Sequence, residues 1–376
     1  MAISVFPVPT AGGGGTNLVG PGMDYNISLS AGAYRISNSH ALTLGSNTYA
    51  AGETVTYIPT SITSATLSGA VSSGLTAWGA GLARGFDAYY GNGLYFLGGS
   101  SGNYYTSTDQ VNWTTRTLPA ASTILGVTYG NGLWAVVTGA KTLYTSPDAI
   151  TWTLKVTIAN DFVNKNDGGG IVSDGTGFIA PTQGPSVAGG VVYSTDGITW
   201  TNYSGMTSSY RSWSGYAQPG LWIIGSDSGR IHYSTNSGST WTQVATGASG
   251  NIYGIAKHNG LYVFATGGGG LWTSPTGISS FTSRSIGAGS ETLTSTESTF
   301  GFVWVESNSG SVYKSPDGIS WSNSGLSIAS DTTMRKMPNG ELVFVNGATT
   351  TYKLGLIANS ALATIESLGE VLLPNA

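Results

Sequence analysis

Apolar and polar residues alternate in short runs along most of this chain, and nearly every run ends in a turn rich in Gly, Asn or Ser. One such boundary recurs seven times: a turn ending in Gly, then a block of apolar and aromatic residues. The copies are GNGLYF at Gly91, GNGLWAV at Gly130, DGTGFIA at Asp174, QPGLWII at Gln218, HNGLYVF at His258, STFGFVW at Ser298 and PNGELVF at Pro338. Their closing glycines are Gly93, Gly132, Gly177, Gly220, Gly260, Gly301 and Gly340. Asn-Gly between two β-rich runs predicts a tight hairpin, because a type I′ turn needs positive φ at both central residues. A period near 40 residues predicts a repeat architecture.

A second marker falls later in each unit. Ser, any residue and Asp are followed by a Trp in four copies: Ser107 to Trp113, Ser146 to Trp152, Ser194 to Trp200 and Ser315 to Trp321. Two degenerate copies lie between them. One has Asn236 for Asp and Trp241; the other has Thr276 for Asp and Phe281 for Trp. An aromatic, usually Tyr, opens the run that leads into the turn, at 105, 144, 193, 233, 272, 313 and 352. Each unit therefore reads strand, Gly turn, strand, loop, strand, Ser-x-Asp turn, strand. Seven such units predict an all-β chain, a seven-bladed β-propeller of four-stranded antiparallel blades. The seventh unit has no Asp turn after Tyr352. Its fourth strand is expected from residues 61–78, with the segment after Leu354 as the rival donor.

The repetition decides what the acids are for. An Asp side chain can accept hydrogen bonds from the amides of its own turn. Asn can do the same, whereas a catalytic carboxylate would not be copied around a ring. Asp109, Asp148, Asp196, Asn236 and Asp317 are read as turn locks. Trp113, Trp152, Trp200, Trp241 and Trp321 are read as packing between blades. The pattern Ser-x-Asp-x-Gly-x-Thr-Trp resembles the Asp-box, or bacterial neuraminidase repeat, over roughly residues 80–354. That resemblance implies a propeller of the group that includes sialidases, sortilin-like receptors and many phage virion proteins. The motif is specific for fold and weak for function.

Composition narrows the classes. Only 9% of the 376 residues are charged, and the formal net charge is −4. That leaves no basic footprint for nucleic acid. With no Cys there is no disulfide framework and no thiolate metal site. His40, His232 and His258 lack metal-ligand spacing, and no cofactor is expected. No signal peptide or membrane-spanning run is read from the sequence.

A binding site is expected where the first strands begin, on the face opposite both turns. Counting back from each turn Gly places Arg84, Arg211, Asn251 and Asp331 there, with Tyr210 and Glu291 one residue earlier and Trp213 close by. Aromatic faces with a few polar groups suit sugar rings. Arg84, Arg211, Tyr210, Glu291 and Asp331 superficially match the arginines, tyrosine and acids that a sialidase needs. The Arg-Ile-Pro signature that the resemblance would require is missing, and Tyr34-Arg35-Ile36-Ser37 precedes the repeats. No catalytic residue is assigned.

Residues 1–60 do not share the repeat. Their Pro-rich start and GGGG run read as an extended arm, followed by a small β module used for attachment. Residues 355–376 form a tail. Apolar residues at 357, 361, 362, 365 and 368 make one stripe there, which predicts a short helix. A short Gly-rich N-terminal β region joined to a display domain resembles phage fibre and virion-surface proteins. The functional expectation is a non-enzymatic tail-fibre, adhesin or decoration protein, made in the host cytoplasm and located on the virion. It would contact other virion proteins through the N-terminal arm and the tail, assemble as an oligomer or on the particle, and bind host-surface glycan. The alternatives are a sialidase-like glycoside hydrolase and a cellular ligand-binding propeller.

Overall fold

The second strand of each repeat is built on a run of apolar residues. Leu133–Thr138, Leu221–Ser226 and Leu261–Thr266 are buried along nearly their whole length. A strand buried on both faces must lie between two other layers. The fourth strands carry Thr, Ser and Asn and are largely exposed, as in Thr114–Thr117 and Thr282–Arg284. Each antiparallel sheet is therefore sandwiched between neighbours at its centre and wet at its outer edge.

The computed structural model describes residues 75–78, 87–163, 170–183, 190–203, 211–299, 301–330, 332–337, 341–346 and 351–354 of the repeat region, and short strands on either side of it. The chain divides into two compact units, residues 77–353 and a unit built from both chain ends.

In the larger unit seven antiparallel sheets follow one another. Their first strands are Asp87–Gly91, Ile124–Gly130, Val172–Ser173, Ser212–Gln218, Ile252–His258, Leu293–Thr299 and Thr332–Lys336. Each first strand neighbours the next in chain order, and the seventh meets the first. The hairpin turns take the predicted form. Asn92, Asn131 and Asn259 lie at φ 48°, 47° and 47°, each followed by a positive-φ Gly. The approach between first strands is close: a Cβ on Gly91 would sit 2.4 Å from the Tyr129 side chain of the next sheet.

Two devices close the ring. The last sheet takes its fourth strand from Leu75–Ala77, which pairs with Tyr352–Leu354. The Trp78 amide then donates to the Thr351 carbonyl at 2.8 Å. Trp78 is buried, and its ring stands edge-on to Trp113 of the first sheet at 5.0 Å. At the centre, Arg335 of the seventh sheet donates to Asp87 of the first through Nε (2.6 Å) and Nη2 (2.7 Å). The same carboxylate accepts the amides of Ala88 and of Val127 in the second sheet, both at 2.9 Å. Asp87 is fully buried and Arg335 nearly so, so both charges are taken from water and each needs the other.

The third sheet departs from the pattern. Its first strand is split into Asp161–Phe162 and Val172–Ser173, both paired with Phe178–Gln183. Before the split, Thr153–Thr157 forms the fourth strand of the second sheet.

The described elements of the smaller unit are all strands. Tyr25–Leu29 pairs with Thr63–Leu67, which pairs with Leu42–Leu44. Ala33–Asn38 lies between Thr54–Tyr57 and Ala363–Gly369. Two sequence expectations change here. Among the described residues of 61–78, Leu75–Ala77 joins the last sheet, while Thr63–Leu67 pairs within the smaller unit. The helix predicted over 357–368 does not form: Ile357–Ala358 pairs with Leu18–Val19, and Ala363–Gly369 pairs with Ala33–Asn38, placing Ile365 opposite Ile36. A stripe that short cannot sustain a helix alone, and a strand carrying Thr and Ile fits a waiting sheet edge.

Two stability predictions follow from the ring. Arg335→Met should destabilise the protein by about 3–5 kcal/mol in denaturant unfolding, because it strands a buried carboxylate. Arg335→Met with Asp87→Asn should recover a large part of that loss. An equal loss in the single and double variants would mean that the pair does not hold the ring. The second concerns His232, buried in the fourth sheet with Nδ1 3.1 Å from Ser226 Oγ. Burial, helped by the charge of Arg230, pushes it down to about 4 from 6.5. The unfolded chain binds the extra proton in that window, so stability should fall as pH drops from 6.5 towards 4. His232→Phe should flatten that part of the stability–pH curve.

Candidate functional site

Four acids, Asp109, Asp148, Asp196 and Asp317, stand at matching places in the repeated turns. In the first sheet Asp109 Oδ1 accepts the amides of Val111 (2.8 Å) and Asn112 (2.7 Å), and the Ser107 hydroxyl at 2.9 Å. Ser107 Oγ in turn accepts the Gln110 amide. Asp148 repeats this with Ile150 and Thr151, Asp196 with Ile198 and Thr199, and Asp317 with Ile319 and Ser320. Asn236 Oδ1 accepts the Thr240 amide at 2.9 Å, and Thr276 Oγ1 accepts the Ser279 amide at 3.0 Å. The residue after the acid takes positive φ: Gln110, Ala149, Gly197 and Gly318 lie between 56° and 74°.

These amides hold the carboxyls down. Thr151 and Ile150 bring Asp148 to about 2, and Ser320 and Ile319 bring Asp317 to about 2, from an ordinary 3.8. Asp109 and Asp196 are depressed by the same kind of contact.

The aromatic that follows each turn packs into the gap between its own sheet and the preceding one. Trp113 joins the cluster between the seventh and first sheets, Trp152 that between the first and second, and Trp200 the next. Trp241 and Trp321 do the same further round. The indoles of Trp113, Trp200 and Trp321 donate back to carbonyls of their own turns at 3.1–3.2 Å. The turns also present aliphatic side chains to solvent: Val111, Ile150, Ile198 and Ile319 are among the most exposed large apolar residues described.

At the opposite ends of the strands lie the residues expected to bind a ligand. Arg84, Tyr210 and Asp331 fall outside the described residues. Arg211 and Asn251 stand immediately before first strands, at the register counted from the sequence. Trp213 occupies a bulge, where the pairing shifts between Ser212 and Ser214. Asp227, in the loop after the second strand, accepts the Arg211 amide at 3.0 Å and the Trp213 indole N–H. Trp213 also stands edge-on to Tyr253 at 5.2 Å, and Asn251 Nδ2 donates to the Tyr253 hydroxyl at 3.0 Å. Arg211, Trp213 and Asn251 thus share one network through Asp227 and Tyr253, neither of which the repeat pattern singled out. Glu291 belongs to a separate network. Its carboxyl is lowered by the Ser307 hydroxyl first, with Ser309, Tyr313 and Ser311 adding to it. Among the described residues no cluster of His, Asp and Glu could hold a metal, and no helix is long and apolar enough to cross a membrane.

A cavity of about 320 Å³ is lined by the first strands of all seven sheets. Sequence reasoning did not find it, because its lining residues come from every sheet and follow no repeat. Tyr89, Tyr216, Lys257, Glu297, Arg335 and Lys336 supply its aromatic and charged groups, and Thr128 and Thr296 its hydroxyls.

Solved structures share this arrangement. YCF48 from Cyanidioschyzon merolae matches 74% of this chain and 98% of its own, with a TM-score of 0.55 and 16% identity. A catalytically inactive virginiamycin B lyase from Staphylococcus aureus, solved with quinupristin, matches 75% and 98%, with a TM-score of 0.62 and 12% identity. YCF48 bound to a D1 peptide matches 74% and 94%, with a TM-score of 0.57 and 12% identity. The fold is a β-propeller. At such identities the likeness concerns the propeller fold alone. No protein-family model matches the sequence, and no curated protein matches it.

The propeller's Asp turns make a direct prediction. Carboxyl titration by NMR should give midpoints near 2 for Asp148 and Asp317. Their folded values lie below the unfolded one, so their contribution to stability is present above about 3.8 and lost as pH falls through about 2. Asp317→Ala should lower the melting temperature by roughly 2–4 °C, and Asp317→Asn by less. A midpoint near 3.8 would show that the turn is not locked through its carboxylate.

Proposed function

We propose that this chain is a seven-bladed, Asp-box type propeller displayed on a phage virion surface, where it binds host-surface glycan without turning it over. The observation that carries this reading is the state of the repeated acids. Each Asp-turn carboxylate described accepts two backbone amides of its own turn and a serine hydroxyl. An oxygen engaged in that way, on a carboxyl held below its ordinary range, is a poor general acid or base at neutral pH. The acids support a scaffold reading. Trp213 and Asn251 are likewise engaged around first strands, and Glu291 accepts the Tyr313 hydroxyl of a third strand, which supports a preformed surface. A preformed polar surface on a rigid ring suits recognition. The smaller unit, which interleaves strands from both chain ends, is the attachment module in this reading, and other virion proteins are its partners.

The same ring serves other proteins in different ways. One similar structure is bound to a D1 peptide, and another is an inactive lyase with quinupristin. The experiment must therefore separate binding from turnover. A glycan array and a fluorogenic sialoside assay on one purified sample should give binding without hydrolysis. Hydrolysis abolished by Arg211→Ala would make this protein a glycosidase and overturn the proposal. Silence in both assays would remove the glycan. Attachment is tested separately: the chain should co-purify with particles and be lost from them when residues 1–60 are deleted.

A further inference from the structure

Four first strands begin with the same irregularity. Their pairing with the second strand shifts at Leu125, Trp213, Tyr253 and Thr294, so each of these is the extra residue of a β-bulge. Each is half-buried between two buried neighbours. The neighbour that follows is held by the adjoining sheet. A Cβ on Gly126 would sit 2.6 Å from Gly170 Cα, and one on Gly254 would sit 3.2 Å from Thr296. Ser214 Oγ donates to the Ile252 carbonyl at 2.8 Å. The extra residue escapes that constraint, and a bulge re-aims its side chain. The four positions accordingly carry four different residue types.

On the adjacent fourth and fifth sheets the bulged residues are aromatic. Trp213 and Tyr253 stand 5.2 Å apart with their planes at 64°. Neither ring joins the apolar clusters that flank its sheet, so the pair is not spent on the core. Both rings are fixed from behind. Asp227 accepts the indole N–H, and the Tyr253 hydroxyl accepts from Asn251 Nδ2 at 3.0 Å. The loop beside Tyr253 runs from Gly267 to Gly270 and brings no side chain to it. A Cβ on Gly267 would meet Tyr253 Cε2 at 3.5 Å, an ordinary contact, and one on Gly268 would meet nothing within 4 Å. The fold has room for a side chain beside Tyr253 and leaves that room open.

Two fixed rings that meet at an angle form a corner with apolar walls. Its rim is polar, with Arg211 and Ser228 exposed. A pyranose carries a C–H face and a girdle of hydroxyls, which suits such a corner. Rings already held by hydrogen bonds lose little freedom when a ligand arrives. Charge refines the class. The Arg211 guanidinium and the Asp227 carboxylate cancel, and both Asp227 oxygens are taken by N–H groups of the protein. The corner therefore favours neither an acidic nor a basic ligand.

We propose that the Trp213–Tyr253 corner is the glycan subsite and that it takes a neutral pyranose, stacked by its C–H face on the Trp213 indole. The inference rests on the glycan-binding reading and names the sugar class and the place. The axial cavity, whose lining includes neither ring, is not part of it.

The test is calorimetric titration of the full chain with methyl β-galactoside and methyl β-glucoside. Glucuronate serves as the acidic counterpart, and a proline-rich peptide as a rival that also stacks on aromatic rings. Saturable binding of a neutral glycoside is expected, little changed by salt and at least tenfold tighter than that of glucuronate. Trp213→Ala should weaken it at least tenfold, and Trp213→Phe, which keeps an aromatic face, only a few-fold. Gly267→Leu fills the open side of Tyr253 without disturbing strand pairing. It should weaken binding several-fold and leave the melting temperature nearly unchanged. No binding of either neutral glycoside, binding unchanged in Trp213→Ala and Gly267→Leu, or binding of the peptide alone would overturn the inference. If a glycan array is positive while both glycosides fail, only this inference falls. If the array and both glycosides fail, the glycan reading falls with it.

Discussion

The propeller depends on the clasp between Asp87 and Arg335. A ring of sheets has one seam that chain connectivity does not close, and the seam lies between the seventh sheet and the first. The carboxylate of Asp87 meets a bidentate guanidinium from one side and the Val127 amide from the other, so three sheets are fixed by one buried group. Charge-assisted bidentate bonds fix direction as well as distance. The strand borrowed from Leu75–Ala77 secures the outer edge of the same seam. Closure is thus double: polar at the axis and backbone-paired at the rim, with Trp78 and Trp113 filling the space between.

Around the closed ring, six of the seven gaps between sheets are filled the same way. An aromatic from one Asp turn crosses to the preceding sheet, and its own turn is held by a carboxylate or a substitute for one. Substitution is tolerated because the task is modest. It needs one oxygen that two amides can reach, and Asn236 or even the Thr276 hydroxyl supplies it. Acids that look like repeated chemistry are in this way spent on shape, leaving the unrepeated positions near the axis to differ from sheet to sheet.

That division explains what could be read from the sequence. Positive φ at Asn92, Asn131 and Asn259 is a demand of backbone geometry that Asn-Gly announces directly, so turn and strand positions were legible, and with them the register of Arg211 and Asn251. The cavity was not, since Lys257, Glu297 and Lys336 lie on three different sheets and share no motif. Asp227 was hidden for a similar reason: it pairs with Arg211 and Trp213 across a bulge that only the folded strand reveals. The tail misled because apolar spacing at 357–368 satisfies a helix locally, while Ile365 finds a partner in Ile36, more than three hundred residues away in the chain.

The split strand of the third sheet bears on how such a ring can change. Where the strand is interrupted, the Gly170 amide donates to the Val163 carbonyl at 2.8 Å, and the Val163 amide to the Pro181 carbonyl at 3.2 Å. The two ends of the interruption are therefore stitched together at their base. Whatever hangs from that stitch is thermodynamically a closed loop, and lengthening it costs only a slowly growing closure entropy. The third sheet is thus a port in the ring, where new sequence can be accepted, exchanged or grafted while the neighbouring sheets keep their places.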